Sequence, residues 1–501
     1  MPTWKHLFER KPLAMLHKEM VSENRLRRVL GPWSLTSLGI GCVIGAGIFV
    51  ITGLAAHYKA GPALILSFVV SGAACIFAAL CYAEFAAMTP VAGSAYTYAY
   101  ATLGELFAWI IGWDLILEYT VASSTVAHGW SKYFQNFIGI FHLKVPDLLS
   151  ASPLDFVPGK GYIPTGSWFD LPALTIAIIL TVVLVIGIRE SSRFNNVMVA
   201  VKVAVVLMVI ALGAFYVDPR NWHPFAPYGW TGFSLFGHTV LGQTSPEGAP
   251  VGMLAAAAVI FFAYIGFDSV STHAEEARHP RRDVPFGIIT SLLICTVLYI
   301  AVTAVITGMV PYNEIDIQAP IASAFQRHGL KWAQFIISLG AVAGITSVML
   351  VLMLSQPRVL LAMARDGLLP KSFFGAVHPR FRTPWKSTIL TGCLVGLMAA
   401  FIPLGILAEL VNIGTLLAFV IVCLAVLIMR YLHPEARRAF RCPWVPAIPV
   451  LGALSCLMLM FSLPSENWLR LIVWLVAGMF IYLVYGRHHS VMFHHRRKAK
   501  G

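Results

Sequence analysis

Charged residues are scarce in this chain: they form 12% of its 501 residues, whereas 58% are hydrophobic and the mean hydropathy is +0.76. Because an ordinary soluble domain carries about 25% charged residues, this composition excludes that class. Twelve apolar runs of about 18 residues or more are instead long enough to cross a bilayer as helices. We number them spans 1 to 12, and they cover residues 33–57, 63–88, 104–130, 171–188, 195–216, 251–272, 286–310, 333–356, 387–404, 406–430, 446–464 and 468–486. The sequence therefore predicts an all-α polytopic membrane protein with twelve transmembrane helices.

The signals of several other protein classes are missing. The eight cysteines lie mostly within spans and form no C-x-x-C pair, which argues against a disulfide framework or a metal site. The sequence shows no nucleophile–base arrangement, metal cluster or phosphate loop, so we expect neither an enzyme nor a bound cofactor. The polar first 31 residues lack the apolar core and cleavage site of a signal peptide, so span 1 is expected to insert directly.

The net charge of +13 has a topological origin. Most of the 36 lysine and arginine residues fall in the two tails and in the connections on the same side of the twelve spans. This is the positive-inside pattern, and it predicts a multi-pass protein of the cell membrane with both termini in the cytoplasm. Nucleic acid is therefore not an expected partner, and attraction to anionic membrane lipid is a secondary effect.

Span 1 contains glycines at positions 39, 41, 45 and 47, within the stretch Gly39–Phe49. Non-helical backbone at membrane depth persists only where it is buried in protein or lines a cavity, so a break here predicts a ligand site. A half-helix that begins near Gly45 directs its N–H groups and the positive end of its dipole into the gap, while one that ends near Ile40 offers free carbonyls. The two ends suit the carboxylate and the ammonium of an amino acid.

Span 6 carries a second interruption, at Gly266 and Asp268. Spans 1 and 6 each begin a set of five helices, and interrupted segments at corresponding positions predict an inverted-repeat transporter with its site between the repeats. The predicted organisation is a cytoplasmic tail (1–31), a first five-helix repeat (32–216), an extracellular loop (217–250), a second five-helix repeat (251–430), spans 11 and 12 (431–486) and a basic cytoplasmic tail (487–501).

Three ionisable residues are predicted to lie deep within spans. Lys202 is about eight residues, or ~12 Å, from the cytoplasmic end of span 5, where a lone ammonium costs at least about 2.5 to 3.5 kcal/mol. It is either a proton carrier or a permanently charged residue that binds carbonyls of the span 1 break. Asp114 and Glu118 share one face of span 3. Intramembrane acids are functional candidates, and the alternative for both is a buried hydrogen bond.

Three further polar stretches allow more than one interpretation. The connection Glu275–Pro285 is either a salt-bridged surface loop or an inner gate. The hydroxyls of Thr346 and Ser347 in span 8 either pack, bond to their own helix or coordinate sodium. Span 8 is expected to end in Gln356–Arg358, and Gly367 and Pro370 in the following stretch are expected to stop the helix. Leu410–Leu416 in span 10 is expected to place polar groups along an access path near the outside.

In combination, several motifs resemble the amino acid–polyamine–organocation superfamily, and in particular the bacterial relatives of the cationic amino acid transporters. These motifs are Gly39–Phe49, Phe262–Asp268, Glu275–Glu276 with Pro280 and Arg281, and Ala364–Pro370. The resemblance covers residues 30–486. It implies a LeuT-type fold of five plus five helices in inverted repeats, with two further C-terminal helices and transport by alternating access.

The resemblance also implies which residues bind substrate. It places the substrate carboxylate at the N–H groups of Gly45, Ala46 and Gly47. The carbonyls that it assigns to the substrate amino group are those of Ile40 or Val43 and of Phe262, Ala263 and Ile265. Phe262 falls at the position of an aromatic outer gate.

Coupling and selectivity are implied in the same way. Lys202 matches a lysine that, in proton-coupled relatives, takes the place of a bound sodium and contacts the first break near Gly41, and Glu118 is the further candidate for proton coupling. Val348 and Leu352 are expected to face the substrate side chain, where their apolar bulk favours small or medium neutral amino acids. No acid is clearly placed for a cationic side chain, and Glu118 is the main candidate for that role.

The leading hypothesis is import of L-amino acids by proton symport, in which protonation of Lys202 shifts the balance between outward- and inward-facing states. Amino-acid exchange and transport of cationic amino acids are alternatives, while sodium symport is disfavoured because an ammonium near Thr346 would repel the ion. An alternative from another class is an amino-acid-binding membrane sensor or a subunit of a complex. A small single-span accessory subunit is a further candidate partner, and the sequence does not determine the oligomeric state.

Overall fold

The computed structural model describes residues 10–11, 30–88, 94–157, 161–187, 192–246, 248–317, 319–381 and 383–492. Most of the two predicted tails lies outside the described residues. Where the tails are described, Lys11, Leu30 and Val491 donate backbone hydrogen bonds to the connections that follow spans 2, 6 and 8, respectively. These connections lie at one end of the helix bundle. We call this end the terminal face and the other end the opposite face.

All twelve predicted runs form helices. Span 1 comprises Pro32–Val43, Gly47–Ile51, Thr52–Ala55 and Ala56–Ala60; span 2 is Leu64–Met88, and a short helix, Ser94–Thr102, precedes span 3 at Glu105–Gly139. Spans 4 and 5 are Leu171–Ile186 and Ser192–Gly213, and span 6 comprises Met253–Ile260, Phe261–Tyr264 and Ser269–Thr272. Span 7 is Pro280–Met309, and a short helix, Pro320–Arg327, leads to span 8 at Lys331–Arg365. Spans 9 to 12 are Trp385–Phe401, Leu404–Leu432, Ala447–Phe461 and Ser465–Ile481.

Within the part of the chain that the structure describes, eight helical stretches are long and apolar enough to cross a membrane by themselves, and one of them, Pro32–Met88, contains both span 1 and span 2. Three shorter apolar helices form spans 4, 9 and 11. The prediction of an all-α polytopic membrane protein is therefore confirmed. The bounds of the two five-helix repeats stay a prediction.

Spans 3 and 7 are longer than predicted. Span 3 continues to Gly139. Its last turns carry polar residues such as Gln135, which lower the local hydropathy, so the apolar run ends before the helix does. Span 7 begins at Pro280, since proline suits the first turn of a helix. The Asp283 carboxylate accepts the N–H of His279 at 3.2 Å and so caps this start. The last part of the predicted charged connection Glu275–Pro285 is thus the first turn of a helix.

The predicted end of span 8 at Pro357 is wrong. The helix passes through Pro357 and ends at Arg365. A membrane helix tolerates an internal proline when neighbouring helices and side chains satisfy the freed backbone groups. The predicted stop at Gly367 is confirmed: the helix ends just before this residue, whose φ of +80° lies in the left-handed region that glycine adopts readily.

The two long connections on the opposite face contain short strands that the sequence did not predict. β1 (Leu154–Val157) pairs with β2 (Gly161–Pro164) in the connection between spans 3 and 4. In the connection between spans 5 and 6, β3 (Phe233–Leu235) pairs with β4 (His238–Leu241), and β5 (Gln243–Thr244) pairs with β6 (Pro250–Val251). All three pairs are antiparallel and two-stranded.

Spans 3 and 2 hold the centre of the bundle together. Span 3 packs along spans 8 and 10, and span 2 packs along span 7. Small residues permit the second approach: a β-carbon at Gly72 would lie 2.9 Å from Cγ2 of Thr296 in span 7. Such close packing of small residues is a general feature of membrane helices, where apolar surface alone gives no driving force between helices.

Glu84 fixes the terminal end of span 2 to span 10 and to the connection after it. Its buried carboxylate accepts hydrogen bonds from Arg430 Nε (2.9 Å) and Nη2 (2.8 Å), from Arg438 Nε (3.0 Å) and from the Cys442 N–H (2.8 Å). Removing one partner of a buried pair costs about 3 to 5 kcal/mol, because the other charge is left uncompensated. Glu84→Ala is therefore expected to lower the thermal unfolding midpoint of the purified protein.

The matched control is Glu314→Ala. Glu314 pairs with Arg327 at 2.8 Å, but both side chains are about half exposed, and an exposed pair contributes about 0 to 1 kcal/mol. Equal midpoints for the two variants would contradict the assignment of a stabilising role to Glu84.

Candidate functional site

The break in span 1 lies at Ile44–Ala46. The first helical part ends at Val43, Ile44 is extended (φ −72°, ψ 99°), and helical turns resume at Gly47. The first half-helix thus ends later than the predicted position near Ile40, because the Ile44 N–H still donates to the Ile40 carbonyl at 2.9 Å. Outside the helices, no backbone hydrogen bond among the described residues uses the N–H groups of Gly45 or Ala46. These two donors remain available to a ligand.

The break in span 6 follows a turn of 3-10 helix, Phe261–Tyr264. Ile265 is extended, and Gly266 has a φ of +114° that strongly favours glycine. Before the break, Asn412 of span 10 donates from Nδ2 to the carbonyls of Ala258 (2.9 Å) and Val259 (3.0 Å). Asn412 is fully buried, and its place along an access path stays a prediction. Its amide supplies donors to two carbonyls at the end of the helical part of span 6.

The two breaks pack directly against each other. A β-carbon at Gly47 would overlap the backbone of Ala263, and one at Gly266 would lie 3.0 Å from the carbonyl oxygen of Cys42. The Cys42 thiol in turn accepts a hydrogen bond from Ser269 Oγ at 3.1 Å. The glycines at these positions therefore allow the non-helical parts of spans 1 and 6 to touch.

Lys202 reaches the span 1 break from span 5. Its Nζ donates to the carbonyls of Gly41 (2.8 Å) and Ile44 (3.2 Å), on the two sides of the end of the first half-helix. The side chain is 1% exposed, and its stem packs against Gly344 of span 8. The contact with Gly41 is the one that the resemblance implies. A proton carrier and a permanently charged lysine would both make it, so the contact alone does not choose between them.

Tyr299 of span 7 is a site residue that the sequence analysis missed. Its buried hydroxyl lies 2.7 Å from the Val43 carbonyl and 3.0 Å from the Ala263 carbonyl, and so bridges the two broken spans. Both carbonyls are among those assigned to the substrate amino group. A carbonyl oxygen has two lone pairs, so each can accept a second hydrogen bond. A tyrosine within an apolar run gives no sequence signal for this role, which arises only from tertiary packing.

A narrow cavity of about 10 Å³, about the size that one water molecule needs, lies between the breaks. Its lining residues are Cys42, Val43, Gly45, Ala46, Gly47, Ala122, Val126, Phe262, Ile265, Val348 and Leu352. The structure therefore brings together the residues predicted for the carboxylate, the gate and the side-chain pocket. Cys42, Ala122 and Val126 were not predicted.

A group of acids lies outside this lining, between spans 3, 6 and 10. The Tyr119 hydroxyl donates to Asp268 Oδ2 at 3.2 Å, and Glu118 lies within electrostatic range of both Asp268 and Asp114. All three acids are buried. Among the described residues, both oxygens of Asp114 and one oxygen each of Glu118 and Asp268 have no hydrogen-bond partner. These oxygens are acceptors in need of a donor.

The connection after span 6 contacts both span 8 and the segment that precedes span 1. Glu276 lies 3.6 Å from Arg358 of span 8. The backbone of Leu30 pairs with this connection through bonds to the Glu276 carbonyl (3.0 Å) and from the Arg278 N–H (2.8 Å). The stretch therefore ties spans 1, 6 and 8 together; the ion pair fits a salt-bridged loop, and the inner gate stays a prediction.

The hydroxyls of span 8 bond to their own helix. Thr346 Oγ1 donates to the Val342 carbonyl (2.7 Å), and Ser347 Oγ donates to the Gly344 carbonyl (3.2 Å). Thr346 also accepts a hydrogen bond from the Trp130 indole at 2.8 Å. Of the three interpretations of this pair, bonding within the helix is the one that the contacts match.

Comparison of the sequence with known proteins identifies the family of this chain. A family model described as "Amino acid permease" matches residues 30–485. A methylthioribose transporter of Bacillus subtilis is 46% identical over 97% of this chain and 99% of its own length. The branched-chain amino acid permease BcaP of the same organism is 47% identical over 97% of this chain and 98% of its own length. The vacuolar cationic amino acid transporter 4 of Arabidopsis thaliana is 31% identical over 94% and 93% of the two chains.

These matches cover both broken spans and the cavity between them. They agree with a multi-pass membrane transporter rather than an enzyme. The chain belongs to the amino acid permease family, within the amino acid–polyamine–organocation superfamily.

Proposed function

We propose that this protein imports neutral amino acids with small or medium apolar side chains across the cell membrane, in symport with protons and by alternating access. The observation that carries the proposal is the Lys202 ammonium on the carbonyls of Gly41 and Ile44, directly behind the cavity between the two breaks. Both termini are cytoplasmic in this proposal, because the terminal face carries most of the lysine and arginine residues.

The chemistry of the cavity supports an amino acid as substrate. The free N–H groups of Gly45 and Ala46 stand at the start of a helical segment, where a carboxylate is favoured. The carbonyls of Val43 and Ala263 offer acceptors to an ammonium. The remaining wall is apolar and carries no carboxylate among the described lining residues, which favours a neutral side chain over lysine or arginine. The printed name of BcaP names branched-chain amino acids, which are neutral and apolar.

Proton coupling follows if the charge on Lys202 stabilises one state of the span 1 break more than the other, because coupling requires only such a difference. Loss of the proton would leave the Gly41 and Ile44 carbonyls with a weaker partner at the point where the first half-helix ends. The partnerless oxygens of Glu118 and Asp268 offer a second place for a proton, since a carboxylic acid would supply a missing donor.

Methylthioribose is a second candidate substrate, because a relative of that printed name is as similar to this chain as the amino acid permease is. Its thioether would suit the apolar wall and its hydroxyls the free N–H groups. It lacks the carboxylate and ammonium that the two half-helices match, so the amino acid is the first choice.

The deciding experiment is uptake by proteoliposomes that contain the purified protein. Neutral amino acids, cationic amino acids and methylthioribose are each supplied under an inward pH gradient, an inward sodium gradient or no gradient. We expect neutral apolar amino acids to accumulate under the pH gradient alone. Counterflow without net accumulation would indicate an exchanger, dependence on sodium would overturn the coupling ion, and binding without flux would indicate a sensor.

The size of the side-chain pocket is expected to depend on Val348. Val348 lines the cavity next to Gly45, whose added β-carbon would lie 2.9 Å from a Val348 methyl group. One methylene more or less in an apolar pocket changes the binding free energy of the transition state by about 1 to 3 kcal/mol. Val348→Ala should therefore raise kcat/KM for a larger neutral substrate relative to a smaller one by about tenfold. Competition between two labelled amino acids measures the ratio. Leu339→Ala, at an exposed position of the same helix, should leave it unchanged.

Glu118→Gln is expected to weaken coupling while it preserves the shape of span 3. An amide cannot take up and release a proton at neutral pH, so accumulation under a pH gradient should fall toward a ratio of one, while counterflow of substrate persists. Glu314→Gln, at an exposed position, serves as the control. Unchanged accumulation in Glu118→Gln would leave Lys202 as the remaining candidate carrier.

A further inference from the structure

The β3–β4 hairpin, residues 233–241, has its polar and apolar faces reversed relative to a hairpin that faces water. Ser234 is fully buried, and its hydroxyl donates to the Ser462 carbonyl at 2.8 Å. Ser234 pairs with Thr239, so both side chains point toward the protein. The outward residues Leu235, Val240 and Leu241 are 38%, 60% and 58% exposed, and His238, which pairs with Leu235, is the polar residue exposed beside them. A sheet with one solvated face normally places its apolar side chains inward and its polar ones outward.

This hairpin is fixed at the membrane boundary of the last two spans. The Phe236 N–H donates to the carbonyl of Phe461, the last residue of span 11, at 3.0 Å. The Phe236 ring also packs against Trp468 of span 12, with ring centroids 5.2 Å apart. The hairpin therefore caps carbonyls that the end of span 11 leaves unpaired, and it lies level with the first turn of span 12.

The hairpin adjoins an exposed apolar surface of span 12. Next to Trp468, the first turns of span 12 expose Leu469, Ile472 and Val473, and this helix is one of those long and apolar enough to cross the membrane. Exposed apolar patches on proteins mark contact surfaces. The side chains of the hairpin and of span 12 thus form one apolar surface across the boundary between helix and connection.

We propose that the outward face of the β3–β4 hairpin is immersed in the interfacial region of the leaflet at the opposite face, and that its partner is membrane lipid. In this position the ladder and the bonds to span 11 satisfy much of the hairpin backbone, while the hydrated headgroup region can meet the remainder. The lipid contact would hold in place the connection that leads into span 6. This inference does not depend on which substrate the protein carries or on its coupling ion.

Spin labels at single cysteines test the proposal in proteoliposomes. Of the eight cysteines, Cys393 is exposed and the other seven are buried, so Cys393→Ser provides the background. Labels are placed at Val240→Cys and Leu241→Cys on the outward face, at Val476→Cys in the exposed middle of span 12 as a lipid reference, and at Thr244→Cys in the exposed strand β5 as a water reference. Collision rates with oxygen, which concentrates in lipid, and with a polar nickel chelate, which stays in water, are compared by electron paramagnetic resonance.

We expect the ratio of oxygen to nickel collisions at positions 240 and 241 to be several-fold higher than at Thr244→Cys and to approach that at Val476→Cys. A ratio equal to that at Thr244→Cys would overturn the proposal, because the face would then lie in water. Low collision rates with both reagents would also overturn it, since a protein partner or a second copy would then cover the face. Only variants whose thermal midpoint and gel-filtration profile match the background are compared, and Leu235→Cys provides a further position on the same face.

Discussion

Lys202→Ala is expected to abolish accumulation of amino acid under a pH gradient while leaving counterflow measurable. An inward gradient of one pH unit provides about 1.4 kcal/mol per proton, which supports about tenfold accumulation if one proton accompanies each substrate. Without the amine, the Gly41 and Ile44 carbonyls lose the group whose protonation they would sense. The accumulation ratio in proteoliposomes should therefore fall from about ten to about one.

Lys331→Ala is the matched control, because Lys331 lies exposed at the start of span 8. It should accumulate substrate like the unmodified protein. Counterflow in Lys202→Ala shows that the variant is folded and binds substrate, so that a loss of accumulation can be attributed to coupling. Accumulation that persists in Lys202→Ala and still depends on the pH gradient would rule out the proposed carrier and favour the permanently charged alternative.

Gly47→Ala is expected to weaken substrate binding strongly. The added methyl group would overlap the backbone of Ala263, and backbone cannot rotate away as a flexible side chain does. Inserting a methyl group into a packed core commonly costs about 1 to 3 kcal/mol. Here the clash separates the two breaks whose contact forms the site. We therefore expect substrate affinity to fall at least about tenfold, measured as the loss of substrate-induced thermal stabilisation of the purified protein.

Gly405→Ala tests whether this effect is specific. Gly405 lies in the first turn of span 10, and a β-carbon there would meet no atom within 4 Å. This variant should bind substrate normally and be as stable as the unmodified protein. If Gly47→Ala showed the same substrate-induced stabilisation as Gly405→Ala, the close contact of the two breaks would not be needed for binding.

The sequence predicts best the contacts of those residues that would cost the most free energy if they lay unpaired in the membrane. An ammonium at the depth of Lys202 requires carbonyl or carboxylate partners inside the protein, and the glycine-rich stretch of span 1 was the nearest source of free carbonyls. The exact end of the first half-helix was not predictable in this way. A glycine within a helix costs only about 1 kcal/mol, so Gly39 and Gly41 did not stop it, and the helix continued to Val43.

Tyr299 and Asn412 were not predictable, because each acts on carbonyls of another span that is distant in sequence. A tyrosine or an asparagine in an apolar run is compatible with many partners, and only the packed arrangement of the helices selects one. The same limit applies to Pro357, where the surrounding helices decide whether a proline ends a membrane helix or lies within it.

The Tyr299 hydroxyl is relevant to the step of the transport cycle in which the substrate-free protein returns to its outward-facing state. Carbonyls left bare by a departing ammonium would each cost several kcal/mol in a membrane interior. The Tyr299 hydroxyl lies within hydrogen-bond distance of both Val43 and Ala263, and its single proton can be donated to one of them at a time. An obligatory exchanger does not make the empty return step, whereas the importer proposed above depends on it. In that proposal, a donor that stays beside these carbonyls after the substrate leaves would lower the cost of the return.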